Sequence, residues 1–173
     1  RRKVLGEEHP DTLLSMNNLA VDYSNMGRYE AAAELDEKVL ELFRKVLGEE
    51  HPNTLTSMSN LAADYRDMGL YEAAAELHEH VLELRRKVLG EEHPDTLLSM
   101  NNLAADYRDM GLYEAATELD EKVLELFRKV LGEDHPSTLI SMSNLAKCYR
   151  ALNRLDDAEK LEREIERIKK RQC

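Results

Sequence analysis

Tryptophan is absent from the chain, and only two phenylalanines and two cysteines, Cys148 and Cys173, occur. The core must therefore be built from Leu, Ala, Val, Met and Tyr. Two cysteines, one of them the last residue, make no disulfide framework, and reduced intracellular surroundings are expected. No apolar run approaches the roughly 18 residues that a bilayer span needs, and no secretory leader pattern is visible. Positive charge is in deficit: the net charge is −11 and the pI about 5.1. That excludes the overall basic footprint of a nucleic-acid binder. Glycine and proline are scarce, at seven and four, and their placement is regular.

What the chain does have is repetition. LGEEHPDTLLSMNNLAVDY from Leu5 returns as LGEEHPNTLTSMSNLAADY from Leu47, LGEEHPDTLLSMNNLAADY from Leu89 and LGEDHPSTLISMSNLAKCY from Leu131, 42 residues apart each time. A fixed period of this size marks a solenoid. Residues 1–6 then close a preceding helix B, residues 7–48, 49–90 and 91–132 are three repeats, and residues 133–173 are a fourth with a capping helix. Because Arg1–Leu5 matches the end of a helix B, the chain is expected to be a piece of a longer array.

Each repeat reads as two helices. Gly6 and its equivalents suit a helix end, where a left-handed residue is needed. Pro10 follows, and Asp11, Asn53, Asp95 and Ser137 belong to the N-cap set, so helix A is expected to start near Asp11, with Pro10 either just before it or at its first position. It should end at Gly27, Gly69, Gly111 and, in the last repeat, Asn153. Every glycine and proline falls in these two turns. Leu13, Met16, Leu19, Ala20 and Tyr23 form the expected buried stripe of helix A. Leu14, Asn18, Val21 and Asn25 form a second, more polar one. Helix B, Tyr29–Leu47, has a broad apolar face of Ala32, Leu35, Val39, Leu42, Phe43 and Val46, which only stacking neighbours can bury. The last helix, Leu155–Arg171, keeps Leu155, Ala158, Leu161, Ile165 and Ile168 on one face and is otherwise densely charged, as a solvating cap would be. The first helix A lacks such a cap, so self-association or fraying is expected at that end. Repeats one and three are nearly identical. Some positions alternate with a two-repeat period, among them Asn17, Ser59, Asn101 and Ser143. Recent duplication and consensus design both fit.

The pattern NLAxxYxxxGxYxxA, as in Asn18–Ala32, resembles the tetratricopeptide repeat over essentially the whole chain. The 42-residue period with LGEEHPDT between units is similar to the kinesin light chain subclass, also found in some NOD-like receptors. Where such repeats often carry a large apolar residue in mid helix B, Asp36, His78 and Asp120 stand, and exposure of that position is expected. The resemblance implies an all-α, right-handed superhelical solenoid of antiparallel helix pairs. Its helices A would line a concave groove that binds an extended peptide or protein segment. The asparagine before LA lies on that face in the family, which carries over to Asn18, Asn60, Asn102 and Asn144. An amide offers donor and acceptor together and so matches a peptide unit. The other reading is that these amides bridge neighbouring helices A.

Around them stand Arg66, Arg108, Lys147 and Arg150. With Arg154, the last two read as weakly compensated cations, suited to an acidic or carboxylate-bearing ligand. Solvated rim charges are the alternative.

Other chemistry is not indicated. His9, His51, His93 and His135 lie one repeat apart, about 10 Å or more by helix-packing distances, too far to share a metal ion. His78 and His80 point to nearly opposite helix faces and read as solvated surface. Cys148, which replaces Asp22, Asp64 and Asp106, is expected at a rim. No catalytic, cofactor or metal residues are assigned, and no nucleic-acid or membrane partner. The reading is a non-enzymatic, cytoplasmic interaction scaffold. The alternative is a structural, self-assembling or designed repeat without a dedicated ligand.

Overall fold

The computed structural model describes residues 6–172. Among the described residues there are eight α-helices and no strand: α1 (Pro10–Asn25), α2 (Tyr29–Leu47), α3 (Pro52–Asp67), α4 (Tyr71–Leu89), α5 (Pro94–Asp109), α6 (Tyr113–Leu131), α7 (Pro136–Ala151) and α8 (Leu155–Gln172). Odd-numbered helices are the helices A of the repeat, even-numbered ones the helices B. The chain falls into two compact units, one running through Val88 and the other from Leu89. The RRKVL stretch read as the end of a preceding helix lies outside the described residues.

The turn from helix A to helix B follows from one left-handed residue. Gly27 has φ +71° and Asn153, its counterpart, +59°. The chain closes by a bond from the Arg28 amide to the Tyr23 carbonyl, 2.9 Å, the six-to-one link of a Schellman motif. The turn between repeats is tighter. Gly48 sits at φ 89°, ψ 167°, a region open essentially only to glycine.

The start of helix A differs from expectation. Its N-cap is the histidine, not the residue after proline. His51 accepts the Asn53 amide on Nδ1 at 3.1 Å, and His9, His93 and His135 do the same at 3.2, 3.2 and 3.1 Å. Proline then occupies the first helical position, where its missing N–H costs nothing. The imidazole reaches because an extended backbone, φ −69° and ψ 138° at His51, turns it over the first turn. Asp11, Asn53, Asp95 and Ser137 therefore donate to the cap instead of forming it. Sequence reasoning also missed the threonines that follow. Thr54, Thr96 and Thr138 donate to the carbonyls of Gly48, Gly90 and Gly132 at 2.7–2.8 Å, which ties α3 and α7 to the ends of the helices B before them. Their recurrence in every repeat was the available signal.

In the first unit, Leu13, Val39 and Phe43 pack with Met16, Leu35, Leu42 and Leu47 between α1 and α2. Ala33, Leu40, Leu55, Met58, Leu61 and Val81 form the next layer across α2, α3 and α4. In the second unit, Leu124, Met142, Leu145, Ala146, Tyr149, Ala158 and Ile168 join α6, α7 and α8. Some expected core positions are exposed. Leu19 is 43% exposed where its equivalent Leu61 is 3%, because Leu61 has Leu40 of the preceding helix B against it and α1 has no such helix among the described residues. Val46 also faces outward, as do Val88 and Val130, and so does Leu155 at the start of the last helix.

Candidate functional site

Helices A carry the expected amides. Asn18 is exposed, and Asn60, Asn102 and Asn144 are half-buried. Within the first unit Asn60 reaches back from α3 and donates to Asn17 on α1 at 3.5 Å. Within the second, Asn144 of α7 donates to Asn101 of α5 at 3.4 Å. The two-repeat alternation at position 17 has here a physical content: asparagine stands where the next helix A needs an acceptor. These bonds are long, and each uses one hydrogen of an amide with two donors and an acceptor. Hydrogen-bonding capacity remains on each pair.

The cations beside the amides are largely engaged. Arg108 Nη1 lies 2.5 Å from Oδ2 of Asp120, with the arginine side chain 14% exposed and the carboxylate fully buried. Arg150 makes a two-pronged bond to Glu162 at 2.8 and 2.7 Å. Arg154 bonds Asp157 at 2.9 Å and lies over the Tyr149 ring at 4.0 Å. The expectation of weakly compensated cations at Arg150 and Arg154 is thus corrected. Their partners belong to the following helix B, twelve or three residues on, and lie outside the helix A pattern that suggested them. Lys147 is exposed and makes no ion pair among the described residues. Arg66 is half-buried.

Mid helix B is a second correction. Asp36, His78 and Asp120 are buried, 1%, 0% and 0% exposed, not solvated. The apolar faces on either side of the position draw it inward. Cys148 is likewise buried, at 0%, and not at a rim. Its thiol lies 3.5 Å from Asp120 Oδ2, and burial, with the Asp120 charge, pushes its pKa up, which makes it a poor nucleophile. His80 is half-buried and meets Glu49 at 3.1 Å.

The buried carboxylates fall into two kinds. Burial raises the pKa of Asp120, and the Arg108 guanidinium pulls it back down. Asp36 has no such counter-charge. Burial, aided by the Asp64 carboxylate on α3, pushes it up to about 7. Asp64 is raised too, by burial first, with the Ser24 hydroxyl holding it back. Oδ1 of Asp36 and Oδ2 of Asp64 are buried without a hydrogen-bond partner.

Among the described residues, no three His, Cys, Asp or Glu side chains are grouped to hold a metal ion, and no helix is long and apolar enough to cross a membrane. An open cleft in the first unit has Leu40, Leu61 and Leu77 in its lining beside Glu37, Glu41 and Glu76.

Comparison with known proteins agrees with the geometry. The tetratricopeptide repeat model matches residues 1–41, 22–87, 57–124 and 95–171. Two crystal structures of Podosopora anserina putative kinesin light chain nearly identical TPR-like repeats are 36% identical. One, of a point-substituted form, has a TM-score of 0.87 over 98% of this chain and 80% of that one. The other has a TM-score of 0.85 over 98% and 81%. BtubC (BKLC) from P. vanneervenii shares the fold, with a TM-score of 0.86 at 23% identity over 95% of this chain and 66% of that one. No curated protein matches the chain. With paired helices repeating every 42 residues and a family match from end to end, the chain belongs to the tetratricopeptide repeat family, in a form similar to kinesin light chain repeats.

Proposed function

We propose that this chain is a non-catalytic interaction module that takes an extended segment of a partner protein along its helices A. The observation carrying the reading is the pair of amide couples, Asn17 with Asn60 and Asn101 with Asn144. Each couple is half-buried and holds unused donor and acceptor capacity. A peptide backbone laid across them would satisfy both. The proposal places the module in the cytoplasm. An acidic segment remains compatible through Lys147, but Arg108 and Arg150 would have to leave their own carboxylates to serve it.

The test is a peptide-library screen on the chain, repeated on N60A and N144A. Each substitution should weaken a selected peptide about fivefold, the worth of one hydrogen bond. Equal selection by wild type and both variants would refute the amide reading.

The second reading, stacking without a dedicated ligand, has its own support. On α1 and at its C-cap, Leu14, Leu19, Val21 and Met26 are 39, 43, 37 and 70% exposed. The positions of α2 that cover the next repeat, Ala33 and Leu40, become Glu159 and Glu166 on α8. Self-association would therefore run through α1. Sedimentation at rising concentration tests it: wild type should sediment faster as concentration rises, and L19E should not. A monomer at every concentration would remove this reading.

A further inference from the structure

Repeats three and four build the same internal pair. The helix A arginine reaches the helix B acid twelve residues on, Arg108 to Asp120 and Arg150 to Glu162. In the first repeat the acid remains, Asp36, but the arginine position is Ser24. The position of Cys148, which touches Asp120, is filled by a second acid, Asp64. Both carboxyls are at least 98% buried, at 1% and 2% exposure, and each has one oxygen without a partner.

Among the described residues, no cation acts on Asp36 or Asp64, and cations of α2 and its N-cap are engaged by other groups. Arg28 lies over Tyr23 at 4.6 Å, Lys38 pairs with Glu7 at 3.8 Å and Arg44 with Glu49 at 3.2 Å. The charged group acting on Asp36 is Asp64 from α3, and Asp64 in turn meets the Ser24 hydroxyl from α1 and the Asp67 charge on its own helix. The first unit thus keeps the acid of the pair, Asp36, with serine at the position that carries Arg108 and Arg150 in the later repeats. Ser24, which bonds Asp64, is half-exposed and shorter than arginine by the whole guanidinium stem.

We propose that Asp36 and Asp64, reached over Ser24, form a binding site for an arginine side chain of the segment that lies along α1 and α3. It rests on the peptide-binding reading above. Arginine fits better than lysine because a planar fork can bridge two carboxylates, whereas an ammonium is a compact and strongly hydrated point charge. With Asp36 titrating at about 7 in the free chain, binding should release a proton and strengthen as pH rises.

The test titrates the isotope-labelled chain with the peptide Gly-Ser-Gly-Arg-Gly-Ser-Gly at pH 8 and low salt, with a glutamine analogue as control. The arginine peptide should move the amide signals of Ser24, Asp36 and Asp64, and the glutamine peptide should not. Affinity should fall about tenfold at pH 6. S24R, which supplies the guanidinium in place, and D36N should each weaken it at least tenfold, while E162Q, in the other unit, should leave it intact. Equal response to the glutamine peptide, to sodium chloride at the same ionic strength, or from S24R and D36N would overturn the site. Loss of library binding in N60A with the arginine response retained would uphold both readings. A library that selects nothing, with the arginine response intact, would refute the groove reading alone.

Discussion

The two units place the same hairpin in different electrostatic company. Around the buried acid of helix B, the first has Ser24, Asp36 and Asp64; the second has Arg108, Asp120 and Cys148. In the second, a guanidinium neutralises the acid and the thiol adds a weak bond. In the first, two carboxyls face each other, and Asp36 is pushed up to about 7. The apolar frame is nearly the same, with Leu13, Val39 and Phe43 matched by Leu97, Val123 and Phe127, all buried. Local substitution at two positions therefore changes the charge state of a buried site without changing the fold that holds it.

The largest expected break in that contrast is R108S, which gives the second unit the first unit's serine. Asp120 would then be buried without its cation, at a cost of about 3 kcal/mol near pH 8. The sign follows from linkage. A folded carboxyl held above its ordinary pKa binds more protons than the unfolded chain, so stability falls as pH rises through that window. The loss should shrink towards pH 4, and denaturant unfolding at both pH values checks it.

Next comes D36N, with the opposite sign. Between the ordinary carboxylate value of 3.8 and about 7, the folded wild type keeps a proton that the unfolded chain gives up. Wild-type stability should therefore decline over this range, and D36N should relieve on the order of 2 kcal/mol at pH 8 after allowance for solvent screening. At pH 4 it should change little. The matched D120N, which loses the Arg108 partner, should instead destabilise at pH 8.

A third pair serves as a control where the units agree. H51A and H135A each remove one N-cap acceptor and should each cost about 1 kcal/mol, with asparagine in place of histidine restoring most of it. The smallest effect belongs to E162Q. It removes a pair whose side chains are 50 and 43% exposed, and exposed pairs contribute little. Its melting temperature should stay within error of wild type.

Much of the fold was legible in the residues. A 42-residue period, turn glycines and two helical stripes were enough to place helix B at Tyr29–Leu47 and the left-handed residues at Gly27 and Asn153. The caps were misassigned because a proline between cap and helix hides that the histidine ring, two residues back, is the acceptor. The mid-helix acids were misread because a charge in a helical stripe suggests solvent. Nothing local announces that an arginine twelve residues earlier reaches it from the facing helix. The amide positions were legible, while their pairing waited on the distance between neighbouring helices A. Leu19 illustrates the same limit, since its exposure depends on a neighbour and not on its own helix.

The most direct measurement of this contrast is a carboxyl-carbon NMR titration of Asp36 and Asp120 in the intact chain, repeated on S24R. Asp36 should titrate near 7 in wild type, and its midpoint should drop when S24R supplies a guanidinium, while Asp120 is unchanged. An Asp36 midpoint in the ordinary carboxylate range, unmoved by S24R, would contradict the account.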